Sequence, residues 1–285
     1  VSFGRPSDVL MSGPAGAAAG LAGEPAEGDS AAALVPGAVY AVPVREVSAG
    51  SGAVAEALYR VFEIVVAALG LVVALPIMAV GAALVRWDSP GPALFLHRRP
   101  GRSVMMRGRD LVHRGDLRPP PGGFEPERLY YVPSYFTMAK LRTMHSDARA
   151  RHPELYLYRF PAGEFHRQMP TLRHDPRVTR VGRVLRTLSI DELPNLWSVL
   201  RGDMRLVGPR PEAPEVLRYY SCEEMYKFAV KPGITGLAQI NGRGLLTWGE
   251  TLAFDLEYVR TRSVVLDLKI LLRTLHRVLF RHGAF

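Results

Sequence analysis

Two acidic residues stand side by side, Asp191 and Glu192, inside DPRVTRVGRVLRTLSIDELPNLWSVLRGDMRLVGPRPE at residues 175–212. A carboxylate can attack phosphorus as a covalent nucleophile. A second carboxylate beside it can hold Mg2+, which offsets the charge of a diphosphate. Arginines complete such a set, because the planar guanidinium grips phosphate oxygens through paired donors. Arg186 lies about one helical turn before the acidic pair, and Arg210 is fixed between Pro209 and Pro211. These residue types suit phosphoryl transfer. They also suit a plainer role. Ser189 with Glu192 has the spacing of a capping box, and both acids would lie where helix amides favour negative charge.

Several elements must position these groups. Val178, Val181, Val184, Leu185 and Leu188 recur at helical spacing and predict one apolar face, with Arg177, Arg180, Arg183 and Arg186 on the other side. Pro194 is tolerated only near a helix start, so a second helix begins close to Ile190 or Asp191. A short strand and the Pro-fixed loop follow. Tyr135 to Met144 alternates as a strand does, which puts Lys140 and Arg142 on one face. Glu215 to Lys227 reads as an amphipathic helix. GLAQINGRG at 236–244 reads as a short strand entering a glycine loop that can bring N–H groups to a phosphate, with Gly242 and Arg243 as secondary candidates. Trp248 to Arg262 and Val264 to Arg281 read as helices. In the second, Val264, Leu268, Leu271, Leu275 and Val278 form an apolar stripe, while Lys269, Arg273, His276, Arg277 and Arg281 line the remainder. Such a basic amphipathic helix can lie in anionic headgroups.

Upstream, Val61 to Val85 is apolar except for Glu63. As a helix it would reach about 37 Å, enough to cross a bilayer core. Pro76 deletes a helix hydrogen bond, which predicts either a kinked span or a helix-break-helix that enters one leaflet and returns. Arg86, Arg98, Arg99 and Arg102 place the C-terminal flank on the inner side, and Arg60 before the run allows both ends to face the cytosol. Residues 1–52 are rich in Ala, Gly, Pro and Ser and are expected to be disordered. Asp88 to Arg102 reads as a turn, a short strand at Ala93 to Leu96 and a basic loop. Residues of about 103–137, including RPPPGG, read as an exposed inserted loop with no catalytic part.

The chain of 285 residues has room for one large domain with appendages. Its net charge of +9 points to a polyanionic partner. One cysteine, Cys222, excludes an internal disulfide, and the scattered His145, His152, His166 and His174 lack zinc spacing.

LRTLSIDELPNLWSVLRGDMRLVGPRP resembles the signature of the bacterial sugar transferases, the monotopic polyprenyl-phosphate phosphoglycosyl transferases. KPGITGLAQINGRG at 231–244 and EYVRTRSVVLDLKILLRTLHRVLF near the end are similar to further blocks of that family. KLRTM at 140–144 and SPGPALF at 89–95 match more loosely. The resemblance implies an α+β fold: a mostly helical, membrane-associated catalytic domain over 88–285 with a small sheet, a re-entrant helix-break-helix over 53–87, and C-terminal interfacial helices. It implies Asp191 as nucleophile and Glu192 on Mg2+. Lys140, Arg142, Arg186 and Arg210, with Pro209 and Arg243 beside them, would bind substrate. The implied partners are a nucleotide diphosphosugar, uridine-linked, a polyprenyl phosphate and the lipid bilayer, at the cytosolic face of a bacterial inner membrane. A homodimer is compatible with this reading, and no nucleic acid is expected. This chain departs from the family at His97, where Gln is usual, at Ala139 and Leu141, where aromatics are usual, at Leu75-Pro76 in place of Ser-Pro, and in the length of the 103–137 insertion. The rival reading is a non-catalytic basic protein that binds nucleic acid or anionic lipid. It predicts aromatics interleaved with cations, whereas the cations here gather about carboxylates and Pro-fixed turns.

Overall fold

The apolar run after residue 52 folds as one helix, α1 (Ala53–Asp88), in a computed structural model that describes residues 39–45, 52–161, 163–169, 174–242 and 244–280. The interruption expected at Leu75-Pro76 does not divide it, because a single lost hydrogen bond is outweighed by the turns and packing on either side. Tyr59, Glu63, Ala67, Ala74, Gly81 and Val85 are buried, and their steps of four and seven form one stripe. Val61, Val65, Leu69, Val72, Val80 and Leu84 face outward. Gly81 allows close approach: a Cβ there would lie 2.9 Å from Leu141 Cδ1.

Both ends of α1 are tied to the same body. Near the start, Glu63 accepts from Arg205 Nε at 3.0 Å and from the Leu206 N–H at 2.9 Å, while Glu56 accepts from Arg205 Nη1 and Arg262 Nη2. At the finish, Asp88 accepts from the Val181 N–H at 3.0 Å. Glu63, the one charge inside the apolar run, is fully buried against arginine rather than presented on the outer face.

Strands β1 (Val39–Tyr40) and β2 (Val42–Pro43) come before α1. After α1 the chain makes β3 (Leu94–Pro100), β4 (Val104–Arg107), β5 (Leu117–Arg118), β6 (Leu129–Val132) and β7 (Tyr135–Leu141). A single-turn helix α2 (Ala148–Arg151) precedes α3 (Arg180–Leu188) and α4 (Asn195–Arg201). Then come β8 (Arg205–Val207), β9 (Gly233–Thr235), α5 (Leu237–Gly242), α6 (Trp248–Thr261) and α7 (Val264–Phe280). Among the described residues the strands form four small sheets: antiparallel β3–β7, parallel β8–β9, parallel β1–β5, and β2–β6–β4. Helices with several small sheets agree with the α+β class, although the sheet is fragmented rather than single.

The insertion is folded. Strands β4, β5 and β6 lie within 103–137 and enclose Leu111, Leu117, Tyr130 and Val132 with Ala41. Val39–Tyr40 pairs with β5 and Val42–Pro43 with β6, so residues 39–45, expected to belong to a disordered tail, supply strands to it. The remaining tail residues, 1–38 and 46–51, lie outside the described residues. Short strands with aromatic side chains and one shared apolar cluster repay the ordering of a segment whose Pro and Gly content reads as loop.

Three further expectations are corrected. GLAQINGRG begins as helix α5, because Leu237, Ala238 and Ile240 bury together at helical spacing. Glu215 to Lys227 forms two 3-10 segments, Pro214–Tyr219 and Glu224–Ala229, parted where Ser221 N–H donates to the Glu224 carboxylate. Met225 to Ala229 are consecutively buried, which no amphipathic helix allows. The α3 face is only half used: Leu185 is buried, while Val184 and Leu188 are exposed.

Lys227, 1% exposed, pairs with Glu212 and Asp255 at 2.8 Å each, tying the loop after β8 to α6. Removing one partner of a buried ion network strands the others. Lys227→Met is expected to destabilise the fold by about 3–5 kcal/mol, read as a lowered thermal midpoint in detergent. An unchanged midpoint would show that this triad does not hold the loop.

Candidate active site

Asp191 and Glu192 occupy a 3-10 turn, Ile190–Glu192, between α3 and α4. Ser189 closes α3 in the left-handed region, with φ +57°, its N–H bonded to the carbonyls of Leu185 and Arg186. It makes no side-chain cap, so the capping box expected of Ser189 and Glu192 does not form. Glu192 points elsewhere. Its carboxylate takes Lys140 Nζ at 3.0 Å and Arg210 Nη2 at 2.6 Å. Three separate elements, β7, the turn and the loop after β8, meet on this one side chain.

That loop is held by close backbone contact. Gly208 N–H donates to Thr235 O at 2.9 Å, and Gly233 N–H to Pro209 O at 3.0 Å. A Cβ on Gly233 would overlap the Gly208 backbone. Pro209 therefore sits buried in this junction, directly before Arg210. Arg186 Nε donates to Thr143 Oγ1 at 2.9 Å, and its guanidinium lies within electrostatic reach of Asp191. Thr143 is a positioning residue that sequence reading missed, although it lies within KLRTM.

Arg142 is placed differently from expectation. Its guanidinium donates to Pro92 O, Ser89 Oγ and Ser89 O at 2.7–2.8 Å, fastening the turn that leaves α1. The alternation that puts it on the Lys140 side ends with β7 at Leu141, and the buried carbonyls of the turn capture it. Gly242 ends α5, and Arg243 lies outside the described residues.

The two carboxylates are electrostatically unlike. Burial, then the neighbouring Glu192, pushes the Asp191 carboxyl above its ordinary range against the pull of Lys140, Arg186 and Arg210. Burial also pushes Glu192 upward, but Arg210 and Lys140 overcome it and hold that group well below the usual range. Asp191, 8% exposed, accepts no protein hydrogen bond among the described residues. A nucleophile needs such an uncommitted lone pair. A Mg2+ site would draw on these two carboxylates, since that ion commonly binds one or two and completes its shell with substrate phosphates and water; in this structure Glu192 is bonded to Lys140 and Arg210. Among the described residues no group of three metal-ligating side chains offers a fuller cage.

His97 lies on the face of β3 that carries Phe95 and Arg99, the same sheet face as Lys140, which pairs with Phe95. Burial, then Arg99, Lys140 and Arg210, lowers its pKa to about 3, so the ring is neutral.

These environments fix opposite contributions to stability. A raised folded pKa means ionised Asp191 subtracts stability above its unfolded value of roughly 4, an effect relieved as pH falls through the folded value. A depressed one means Glu192 adds stability above its unfolded value of roughly 4.3, lost as pH falls through the folded value. At pH 7.5, Asp191→Asn should therefore melt at or above the parent. Glu192→Gln should lose about 2 kcal/mol. The reverse order in thermal melts would contradict the assigned environments.

Comparison with known proteins follows the same blocks. The sequence profile described as "Bacterial sugar transferase" matches residues 54–107 and 118–281, passing over part of the insertion. A Caulobacter vibrioides protein named UDP-glucose:undecaprenyl-phosphate glucose-1-phosphate transferase is 38% identical over 236 residues, covering 79% of this chain and 71% of its own. The undecaprenyl-phosphate glucose phosphotransferase of Komagataeibacter xylinus is 36% identical over 237 residues, again 79% of this chain but 36% of its own length. The undecaprenyl-phosphate galactose phosphotransferase of Salmonella typhimurium is 34% identical over 228 residues, 80% of this chain and 42% of its own. The chain thus spans well under half the length of two of these three relatives.

Proposed function

The chain belongs to the bacterial sugar transferase family, and from that premise we propose that it moves a sugar phosphate from a nucleotide diphosphosugar to a membrane polyprenyl phosphate. Uridine is the expected nucleoside, as the name of the Caulobacter relative suggests. The observation that carries the reading is a buried Asp191 that accepts no hydrogen bond among the described residues, next to a Glu192 gripped by Lys140 and Arg210.

An Asp191 oxygen attacks the sugar-bearing phosphorus. The bond from that phosphorus to the bridging oxygen breaks, and the nucleoside monophosphate leaves with the electron pair. The phosphosugar is then esterified to Asp191. A phosphate oxygen of the polyprenyl acceptor attacks the same phosphorus, the aspartyl ester bond breaks, and the carboxylate is regenerated as polyprenyl diphosphosugar departs. No water is consumed. Arg186 and Arg210 face the region where phosphate charge concentrates, and Lys140 holds Glu192 in place. Mg2+, held by Glu192 and donor phosphates, would supply charge neutralisation.

The acceptor's tail confines it to lipid, so the site must lie at the membrane surface. The support is the shape of α1. It runs about 54 Å, yet Glu56 and Glu63 near one end and Asp88 at the other are bonded to the same body, and Gly70 and Gly81 between them pack on Leu196 and Leu141. A helix that crossed a core of about 30 Å would leave one end on the far side. A position against one leaflet with both ends on the cytosolic side fits these ties better. On α7, Val265, Leu268, Leu272 and Leu275 are exposed while Ile270 is buried, which suits an interfacial helix. The predicted stripe is split between two faces there, since Leu271 packs inward.

Asp191→Asn is expected to lower transfer at least a thousandfold while the fold is retained, and donor alone should add the mass of one phosphosugar to the parent but not to this variant. Residual activity above a few per cent with a verified donor would remove Asp191 as nucleophile. Because its pKa is raised, the acid limb of the rate should fall at a pH above the ordinary carboxylate value. For topology, single cysteines replacing Val54 and Trp87, with Cys222→Ser, should both react with an impermeant thiol reagent only from the cytosolic side. Reaction of one from the opposite side would mean that α1 crosses.

A further inference from the structure

His97 is oriented more firmly than a surface histidine needs to be. Its Nδ1 accepts from Arg99 Nε at 2.5 Å, and its ring stacks on Phe95 with centroids 5.1 Å apart. With Nδ1 an acceptor and the ring neutral, the proton is on Nε2. That Nε2 is buried and has no hydrogen-bond partner among the described residues. A buried donor left unmade carries a cost of desolvation, so a native protein that keeps one has a use for it. The surrounding charges say what the use is. The ring shares a sheet face with Lys140, which pairs with Phe95 and bonds Glu192 at 3.0 Å, so it lies on the side of the acidic turn. The ring is therefore a fixed neutral donor beside the cations assigned to phosphate.

We propose that His97 Nε2–H donates to a phosphate oxygen of the nucleotide diphosphosugar, making His97 a donor-binding residue of this site. The inference rests on the reading of the site as a phosphosugar transferase. A neutral donor has a particular merit here. An imidazole N–H adds a directed hydrogen bond without adding charge beside Lys140 and Arg210. Arg99 acts through His97: by donating to Nδ1 it fixes the tautomer and turns Nε2–H inward.

Two substitutions separate this role from a structural one. In His97→Gln the amide nitrogen can reach the position of Nε2 and still donate. In His97→Asn the shorter amide can meet Arg99 at the position of Nδ1 but presents nothing at Nε2. Loss of one hydrogen bond to a charged group is worth about tenfold to a hundredfold in affinity. The expected result is that Asn raises the donor KM, and weakens inhibition by the nucleoside monophosphate, by about tenfold or more. The KM for polyprenyl phosphate should hold, and Gln should stay within about threefold of the parent. If Asn matches the parent in donor KM, or rescues where Gln does not, His97 only supports Arg99 and the proposal is overturned. A parent enzyme that transfers no phosphosugar from any nucleotide diphosphosugar would instead overturn the reading of the whole site.

Discussion

One carboxylate shared between two cations is the constraint on which the site depends. Glu192 can reach both Lys140 and Arg210 only if β7, the turn after α3 and the loop after β8 all come to one point. Each partner is backed by its own support. The β3–β7 ladder sets the position of Lys140, and the glycine contact between Gly208 and Gly233 sets that of Arg210. Charge-assisted hydrogen bonds in a poorly solvated setting are strong and directional. Asp191, the residue before it, inherits a fixed place while its side chain accepts no hydrogen bond among the described residues. The site therefore ties one carboxylate to two cations and leaves its neighbour without such a tie.

A second constraint concerns α1. An apolar helix of this length would ordinarily be read as a span, and its single charge as an anomaly. The anomaly resolves once Glu63 is seen pointing at Arg205 and the Leu206 N–H. A membrane-length helix with one charged and small-residue stripe has a surface for protein and a surface for lipid. Ala67, Ala74 and Gly81 keep the protein-facing stripe narrow, so the body can lie against the helix over most of its length. The same stripe brings the acidic turn close, since Ile190 and Leu185 pack near Gly81. Helix α1 and the acidic turn share one interface, so the placement of one sets that of the other.

The buried polar groups away from the site are structural in kind. Lys227 between Glu212 and Asp255 anchors the segment immediately after Arg210 to α6. Arg142 fastens the exit of α1. Both tie the ends of site-bearing segments, and neither faces the acidic pair. The inserted β-structure packs around its own apolar cluster and takes up residues 39–45.

The sequence by itself determined the family and the order of parts. Adjacent acids, Pro-flanked Arg210 and a long apolar run with one charge were plain to read, and so were α3, β8, α6 and α7, because helical spacing and Pro placement are local rules, whereas α4 starts at Asn195 and not near Ile190 or Asp191. Only the tertiary structure decided which cations meet the acids. Lys140 and Arg142 are equivalent by alternation, yet one reaches Glu192 and the other is captured by carbonyls from the turn after α1. Capping was misread at Ser189 because the Glu192 side chain found stronger, distant partners than a local amide. The insertion was misread as loop because its partner strands lie across α1 in the chain, at 39–45. His97 carries no signal in its neighbours, and its role follows only from a ladder partner, a guanidinium and the burial of Nε2. Local rules depend on backbone geometry a few residues apart. The partner of a long polar side chain depends on which unpaired group the fold brings within about 3 Å, and spacing along the chain does not record that distance.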